Sequence, residues 1–244
     1  AILKAVRSLE VGLHHLDHPA IKELSEAELE KKILAQDDER IWAITEGIRR
    51  NWPLEKLYKL TEFNYFFLNK LKNIIHHENL LKESKKLDRD LILKVKRLGF
   101  ADKTIAALLG IDESEILAYR MNQKIIPVYK MVDTCAAEFE SSTPYYYSTY
   151  EDEDEVLETN KKKIVVLGSG PIRIGQGIEF DYATVHAIEA IRAMGMEAIV
   201  INNNPETVST DFNISDRLYF EPLTPEDVYH VILREKPEGV IVQF

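Results

Sequence analysis

Apolar residues recur at helical spacing through the first 135 positions. Ile2, Val6, Leu9, Leu13 and Leu16 stand three or four apart, so a helix would carry them on one face. Pro19 is expected to end that run. Ser25-Glu26-Ala27-Glu28 has the spacing of a capping box ahead of Leu29, Ile33 and Leu34. Asp37 or Asp38 can cap a helix bearing Ile41, Trp42, Ile44 and Ile48. Pro53 suits the first turn of the next helix, and Thr61 precedes a longer one with Phe66, Phe67, Leu71, Ile74 and Ile75. Two shorter helices, Asp90 to Leu98 and Asp102 to Leu109, end on Gly99 and Gly110. Glu113 to Asn122 reads as one more.

The pattern changes after residue 140. Ser141-Ser142-Thr143-Pro144 is turn chemistry, and Tyr145 to Tyr150 is extended and aromatic. Glu151-Asp152-Glu153-Asp154-Glu155 is a run of like charges that repels itself in any compact element, so it reads as a solvated linker. The tyrosines 145–147 read as packing at a domain junction. These features place a boundary between domains of residues 1–150 and 151–244. From Lys163 onward short apolar runs alternate with helical periods: a strand at Ile164–Leu167, a helix from Asp181 to Met194, a strand at Ala198–Ile201, a short strand at Arg217–Phe220, a helix from Pro225 to Leu233, and a strand at Val240–Val242. In the first of these helices Val185, Ile188 and Ile191 face inward and Gly195 is the stop. That order predicts a parallel sheet with helices on its faces. The last residue, Phe244, falls at a strand end, where parallel sheets carry loops and ligand sites, so a piece of a longer chain is expected.

Charge sharpens the division. The chain has 31 Lys+Arg against 41 Asp+Glu; residues 151–244 hold 8 and 18 of these, leaving residues 1–150 balanced at 23 each. An acidic second part argues against a nucleic-acid partner, whose phosphates need a basic surface. No apolar run approaches bilayer-spanning length and no basic-then-apolar leader opens the chain, so neither membrane insertion nor secretion is expected. Cys135 is the only cysteine, which rules out an internal disulfide and fits a reducing cytoplasm.

The candidate chemistry sits after the first strand of the second part. Gly168-Ser169-Gly170-Pro171-Ile172-Arg173-Ile174-Gly175-Gln176-Gly177 joins a strand to a helix, a place where backbone N–H groups can cradle an anion. The dinucleotide fingerprint needs a third glycine where Arg173 stands, and its second strand should end near an acid where this one ends in Asn202-Asn203-Asn204. The phosphate-loop lysine is absent too. The remaining local reading is a tight, close-packed turn.

Longer strings carry a family resemblance. Gly168 to Tyr182, Asn202-Asn203-Asn204-Pro205-Glu206-Thr207-Val208-Ser209-Thr210-Asp211, Asp216 to Asp227, and Glu235-Lys236-Pro237-Glu238-Gly239-Val240 resemble the second synthetase half of the carbamoyl-phosphate synthase large subunit. The helical part resembles that subunit's oligomerisation domain through Asp38-Glu39-Arg40-Ile41, Glu55 to Thr61 and Lys96 to Lys103. Val132 to Phe139 and Tyr147 to Glu151 match the exit into the second half. Residues 1–18 resemble the last helix of the preceding half.

The resemblance implies an all-α oligomerisation domain followed by a Rossmann-like, pre-ATP-grasp α/β domain. In the family this α/β domain holds no nucleotide and helps wall the tunnel that carries carbamate to the second phosphorylation site. It implies tunnel-lining roles for Arg173, Glu179 and Glu206, beside the glycine loop of Gly168, Gly170, Gly175 and Gly177. Apart from a tunnel role, Glu206 reads as a cap at a strand end, and Arg173 as an ion-pair partner of Glu179 or Asp181. The implied full-length enzyme is a cytoplasmic ATP-dependent ligase that makes carbamoyl phosphate for arginine and pyrimidine biosynthesis. It would use Mg or Mn and potassium and pair with a glutaminase small subunit. Catalytic residues, metal and cofactor are expected to be absent from this stretch.

Three other readings compete. Self-association without a catalytic role fits the helical half. A helix-turn-helix over Lys103 to Asn122 would place Glu113 and Glu115 where DNA phosphates sit, which disfavours it. Histidines at His14, His15, His18, His76 and His77 lack the mixed ligand spacing of a zinc site and are expected at the surface.

Overall fold

A computed structural model describes residues 1–84, 86–136, 138–139, 143–171 and 178–242. Its residues form two compact units, one of Ala1–Val6 with Val11–Gln123 and one of Arg7–Glu10 with Lys124–Phe244. The division at Gln123/Lys124 differs from the boundary at 150/151 read from the sequence. The reason is that residues 128–131 and 145–149 form strands of the second unit's sheet.

The first unit is helical. After α1 (Ile2–Ser8) come α2 (Pro19–Lys22), α3 (Glu26–Leu34), α4 (Arg40–Arg49), α5 (Leu54–Thr61), α6 (Tyr65–Ser84), α7 (Arg89–Leu98), α8 (Asp102–Leu109) and α9 (Glu113–Asn122). The Ser25 capping box forms: the Glu28 N–H donates to the Ser25 hydroxyl, and the Glu28 carboxylate accepts the Ser25 N–H at 2.8 Å. Gly99 and Gly110 end α7 and α8 in the left-handed region, at φ +94° and +71°.

Four helix limits depart from expectation for identifiable reasons. The face begun by Ile2 and Val6 stops at Ser8, because Glu10 and Gly12 take positive φ and no helix continues through them. Pro19 starts α2 instead of ending a helix, since a first-turn residue has no N–H bond to lose. Glu39 occupies the N-cap of α4, while Asp37 accepts the Glu39 N–H in a local turn. Thr61 closes α5, and its hydroxyl donates to the Leu57 carbonyl at 2.7 Å.

Ionic groups are buried in this unit. Asp102 accepts from Lys96 at 3.0 Å and from Arg120, and all three side chains are almost fully inaccessible. His15 and His77 are buried, against the surface expectation. The His15 ring packs 4.7 Å from that of Phe100 and its Nε2 lies 3.3 Å from Glu78, whereas His77 Nδ1 meets the Asn73 carbonyl at 2.8 Å.

The second unit is a mostly parallel sheet. β1 (Val128–Met131) runs antiparallel to β2 (Tyr145–Thr149). Parallel neighbours then follow in the order β2, β5 (Arg217–Phe220), β4 (Glu197–Asn202), β3 (Lys163–Leu167), β6 (Gly239–Ile241). Helix α10 (Glu179–Ala193) connects β3 to β4, and α11 (Pro225–Glu235) connects β5 to β6. Side-chain alternation splits the core in two. Val165, Ile199, Ile201 and Tyr219 pack with Val231 of α11, while Val166, Ala198, Val200 and Leu218 pack with Ile188 and Ile191 of α10. Covered on both faces, β4 is buried along its whole length, as its apolar run Ala198–Ile201 requires.

Two sequence expectations change in this sheet. Of tyrosines 145–147, which lie in β2 and not at a junction, Tyr146 is sheet core with its ring 5.6 Å from that of Tyr219, Tyr145 meets the Phe220 ring at 5.3 Å, and Tyr147 is exposed. The acidic run is exposed but clasped. Lys130 pairs with Glu155 at 3.0 Å and with Glu153 at 3.3 Å, Arg234 pairs with Asp154 at 2.8 Å, and Val156 just beyond is buried.

Candidate functional site

The carboxyl ends of β3 and β4 carry the glycine turn and the asparagine turn, side by side because their strands are paired in register from Lys163↔Glu197 to Leu167↔Ile201. The Gly168 N–H continues the ladder to the Ile201 carbonyl at 2.8 Å. Asn202, with no solvent exposure, reaches back across it. Its Oδ1 accepts from the backbone N–H groups of Gly170 at 3.1 Å, Asn203 at 2.9 Å and Asn204 at 3.4 Å. A Cβ on Gly168 would stand 2.5 Å from the Asn202 Cγ, so only glycine allows this approach. Gly170 adopts φ +69°, and a Cβ there would come within 2.6 Å of the Glu10 carboxylate.

Glu206 lies beyond the asparagines. It is exposed, and its N–H donates to the Asn204 side chain at 3.0 Å. The turn it belongs to closes in a short 3-10 segment, Val208–Thr210. Thr207, Ser209 and Thr210 bury their hydroxyls together there, with the Thr210 hydroxyl donating to the Thr207 carbonyl at 2.8 Å. Asp181, buried in the first turn of α10, accepts the Ser209 N–H with both oxygens at 3.3 Å. This bond ties the Glu206 turn to the end of the helix that begins at Glu179, which is exposed. On the far side the Tyr145 hydroxyl donates to the Thr210 carbonyl at 2.8 Å.

Of the residues singled out in the sequence, Gly168, Gly170, Glu179 and Glu206 fall on this rim, while Arg173, Gly175 and Gly177 lie outside the described residues. Sequence reasoning missed Asn202 and Asp181 as organisers. The asparagine triplet was legible only as the absence of a ribose-binding acid, and Asp181 only as an ion-pair candidate. Three asparagines directly after the apolar run Ala198–Ile201 were the available signal.

The amino ends of the strands hold a different cluster. The Glu235 carboxylate, fully buried, receives Arg217 at 2.7 Å, Lys163 at 3.0 Å and the Tyr219 hydroxyl. Burial alone would raise its pKa, but the donors from Tyr219 and Arg217 and the cations around it outweigh that and hold the carboxyl below its usual range. Burial, reinforced by the Glu235 charge, pushes the Tyr219 hydroxyl far above its ordinary value.

Among the described residues no group of three or more His, Cys, Asp or Glu is placed to hold a metal, and no helix is long and apolar enough to cross a membrane.

Fold and site together define a helical unit joined to a doubly covered parallel α/β unit, whose glycine turn gives its Gly168 and Gly170 amides to Ile201 and Asn202. Residues 1–124 match the family model of the carbamoyl-phosphate synthetase large chain, oligomerisation domain, and residues 160–244 match that of the carbamoyl phosphate synthase preATP-grasp domain. The chain belongs to the carbamoyl-phosphate synthase large-chain family, a family of ligases.

Proposed function

We propose that the second unit is a wall element of a carbamate tunnel and that the chain itself performs no phosphoryl transfer. The supporting observation is the disposition of the rim. The N–H groups of Gly168 and Gly170, which a nucleotide phosphate would need, are already bonded to Ile201 and Asn202. The acids Glu179 and Glu206 meanwhile stand exposed on turns fixed by buried groups. Carbamate is an anion that decomposes in bulk water, so a rigid, polar passage preserves it. Carboxylates along that passage influence its protonation state and order the water beside it, and Arg173 would add a countercharge.

In this reading the full-length large chain makes carbamoyl phosphate from bicarbonate, glutamine-derived ammonia and two ATP in the cytoplasm. The product feeds arginine and pyrimidine biosynthesis. ATP, its Mg or Mn and potassium belong to other parts of that protein, and a glutaminase small subunit supplies ammonia. In that enzyme Glu206→Trp should leave bicarbonate-dependent ATP hydrolysis and ATP formation from ADP and carbamoyl phosphate within about twofold of the parent while lowering overall synthesis about tenfold or more. Unchanged overall synthesis would remove Glu206 from the passage.

A second reading, self-association through the helical unit, is favoured by one observation. Phe66 and Phe67 are 60% and 57% exposed on α6, next to a stacked Tyr58–Tyr65 pair with ring centroids 4.8 Å apart. The two readings are compatible within one subunit.

A further inference from the structure

We infer that Asn202 is a positioning residue for Glu206, with one amide oxygen setting the glycine turn and the acid-bearing turn in a single arrangement. The inference rests on the tunnel reading above and adds to it a residue that lines no passage itself.

Three backbone N–H groups converge on one atom of the Asn202 side chain, so that atom is the carbonyl oxygen, and the amide nitrogen takes the other position. That nitrogen is buried and has no acceptor among the described residues. The bonds that Asn202 makes among the described residues all run through its oxygen. What it supplies is the acceptor half, which no apolar residue of similar volume can provide.

The acceptor is shared across two segments that are 32 positions apart at Gly170 and adjacent at Asn203. From it a short path leads to the acid: Asn204 gives its N–H to Asn202, and the Asn204 side chain takes the N–H of Glu206. Downstream, the Ser209 N–H is held by Asp181. The Glu206 backbone is therefore fixed from both sides, toward β3 by Asn202 and toward α10 by Asp181. Gly168 completes the device, since its missing Cβ is what lets the Asn202 amide lie against the turn. Losing the oxygen frees the Gly170, Asn203 and Asn204 amides together and lets the acid move relative to the wall, although no group that meets carbamate has been altered.

The test compares Asn202→Leu with Asn202→Asp, which restores an acceptor oxygen at the same place. In the 244-residue chain, amide exchange at Gly170, Asn203 and Asn204 should be about tenfold faster in the leucine variant and near the parent rate in the aspartate variant. In the full-length large chain with its glutaminase subunit, Asn202→Leu should keep both partial ATP reactions within about twofold while ATP consumed per carbamoyl phosphate rises about threefold or more. Asn202→Asp should restore the parent ratio. Should the leucine variant fail to fold, Gly168→Ala, which displaces the amide without removing it, must give the same uncoupling. If Glu206→Trp uncouples the enzyme but neither Asn202→Leu nor Gly168→Ala does, the positioning role is wrong and the tunnel reading stands. If none of the three uncouples it, the tunnel reading itself falls.

Discussion

A buried charge is tolerated only when its partners come with it, and Asp102 shows the consequence at the scale of one residue. Two cations, Lys96 and Arg120, converge on its carboxylate with almost no solvent contact. Asp102→Ala removes the carboxylate that both share, and the expected loss is about 3–5 kcal/mol of unfolding free energy, measurable as a lower urea midpoint. An unchanged midpoint would show that the pair is hydrated in solution. None of this geometry was legible in the sequence, where Asp102 appears only as a first-turn residue of a helix. Gly168 was partly legible: its type pointed to a close approach, but the group approaching it, Asn202, comes from a strand 34 positions away. Sequence distance hides such partners because the chain pattern encodes which face is buried and not who lies opposite.

Elements were read more reliably, because period and punctuation determine them locally. The limits of α8 and α9 and the span of β5 follow from glycine stops, an acidic first turn and a short apolar run. The failures came where a single backbone angle overrode the pattern, as at Glu10 and Gly12 after α1. They also came where a strand was too short to show a period, as in β1. At this scale Glu235 fastens the last turn of α11 to β5 and β3 through Arg217, Tyr219 and Lys163. Its carboxyl is held below the unfolded value, so its stabilisation is present in full above the unfolded pKa and is lost as pH falls through the lower folded value. Glu235→Gln should lower the urea midpoint at pH 7 and flatten the fall of that midpoint as pH drops below 4.5. A variant retaining the parental acid slope would assign that slope to other carboxylates. Glu78, held low by His15, Arg49 and Lys82 against its burial, is the first alternative.

For the whole molecule, the division of the chain into a helical unit and a parallel α/β unit was readable from periodicity and charge. Its position was not, since the aromatic stretch at 145–149 looks like a junction until its strand partner β5 is known. The exposed aromatic face of α6 belongs to this scale. Sedimentation of the chain over a hundredfold range of concentration should show association that weakens on dilution, and Phe66→Glu with Phe67→Glu should abolish it. A monomer at every concentration would detach the aromatic face from assembly.

The clasp on residues 151–155 has an outcome in solution chemistry. Its ion pairs at Glu153, Asp154 and Glu155 are weakened by about 1 M salt, which shortens the reach of a charge to roughly 3 Å, while the Glu155 N–H bond to the Tyr129 carbonyl at 2.8 Å is not. Ionic strength should then act as a latch. In dilute buffer a glutamate-specific protease would find Glu153 held down by Lys130, and in concentrated salt it would cut there faster. The two pieces should stay together after the cut, because Val156 on one side and Tyr129 on the other remain sunk in the same core.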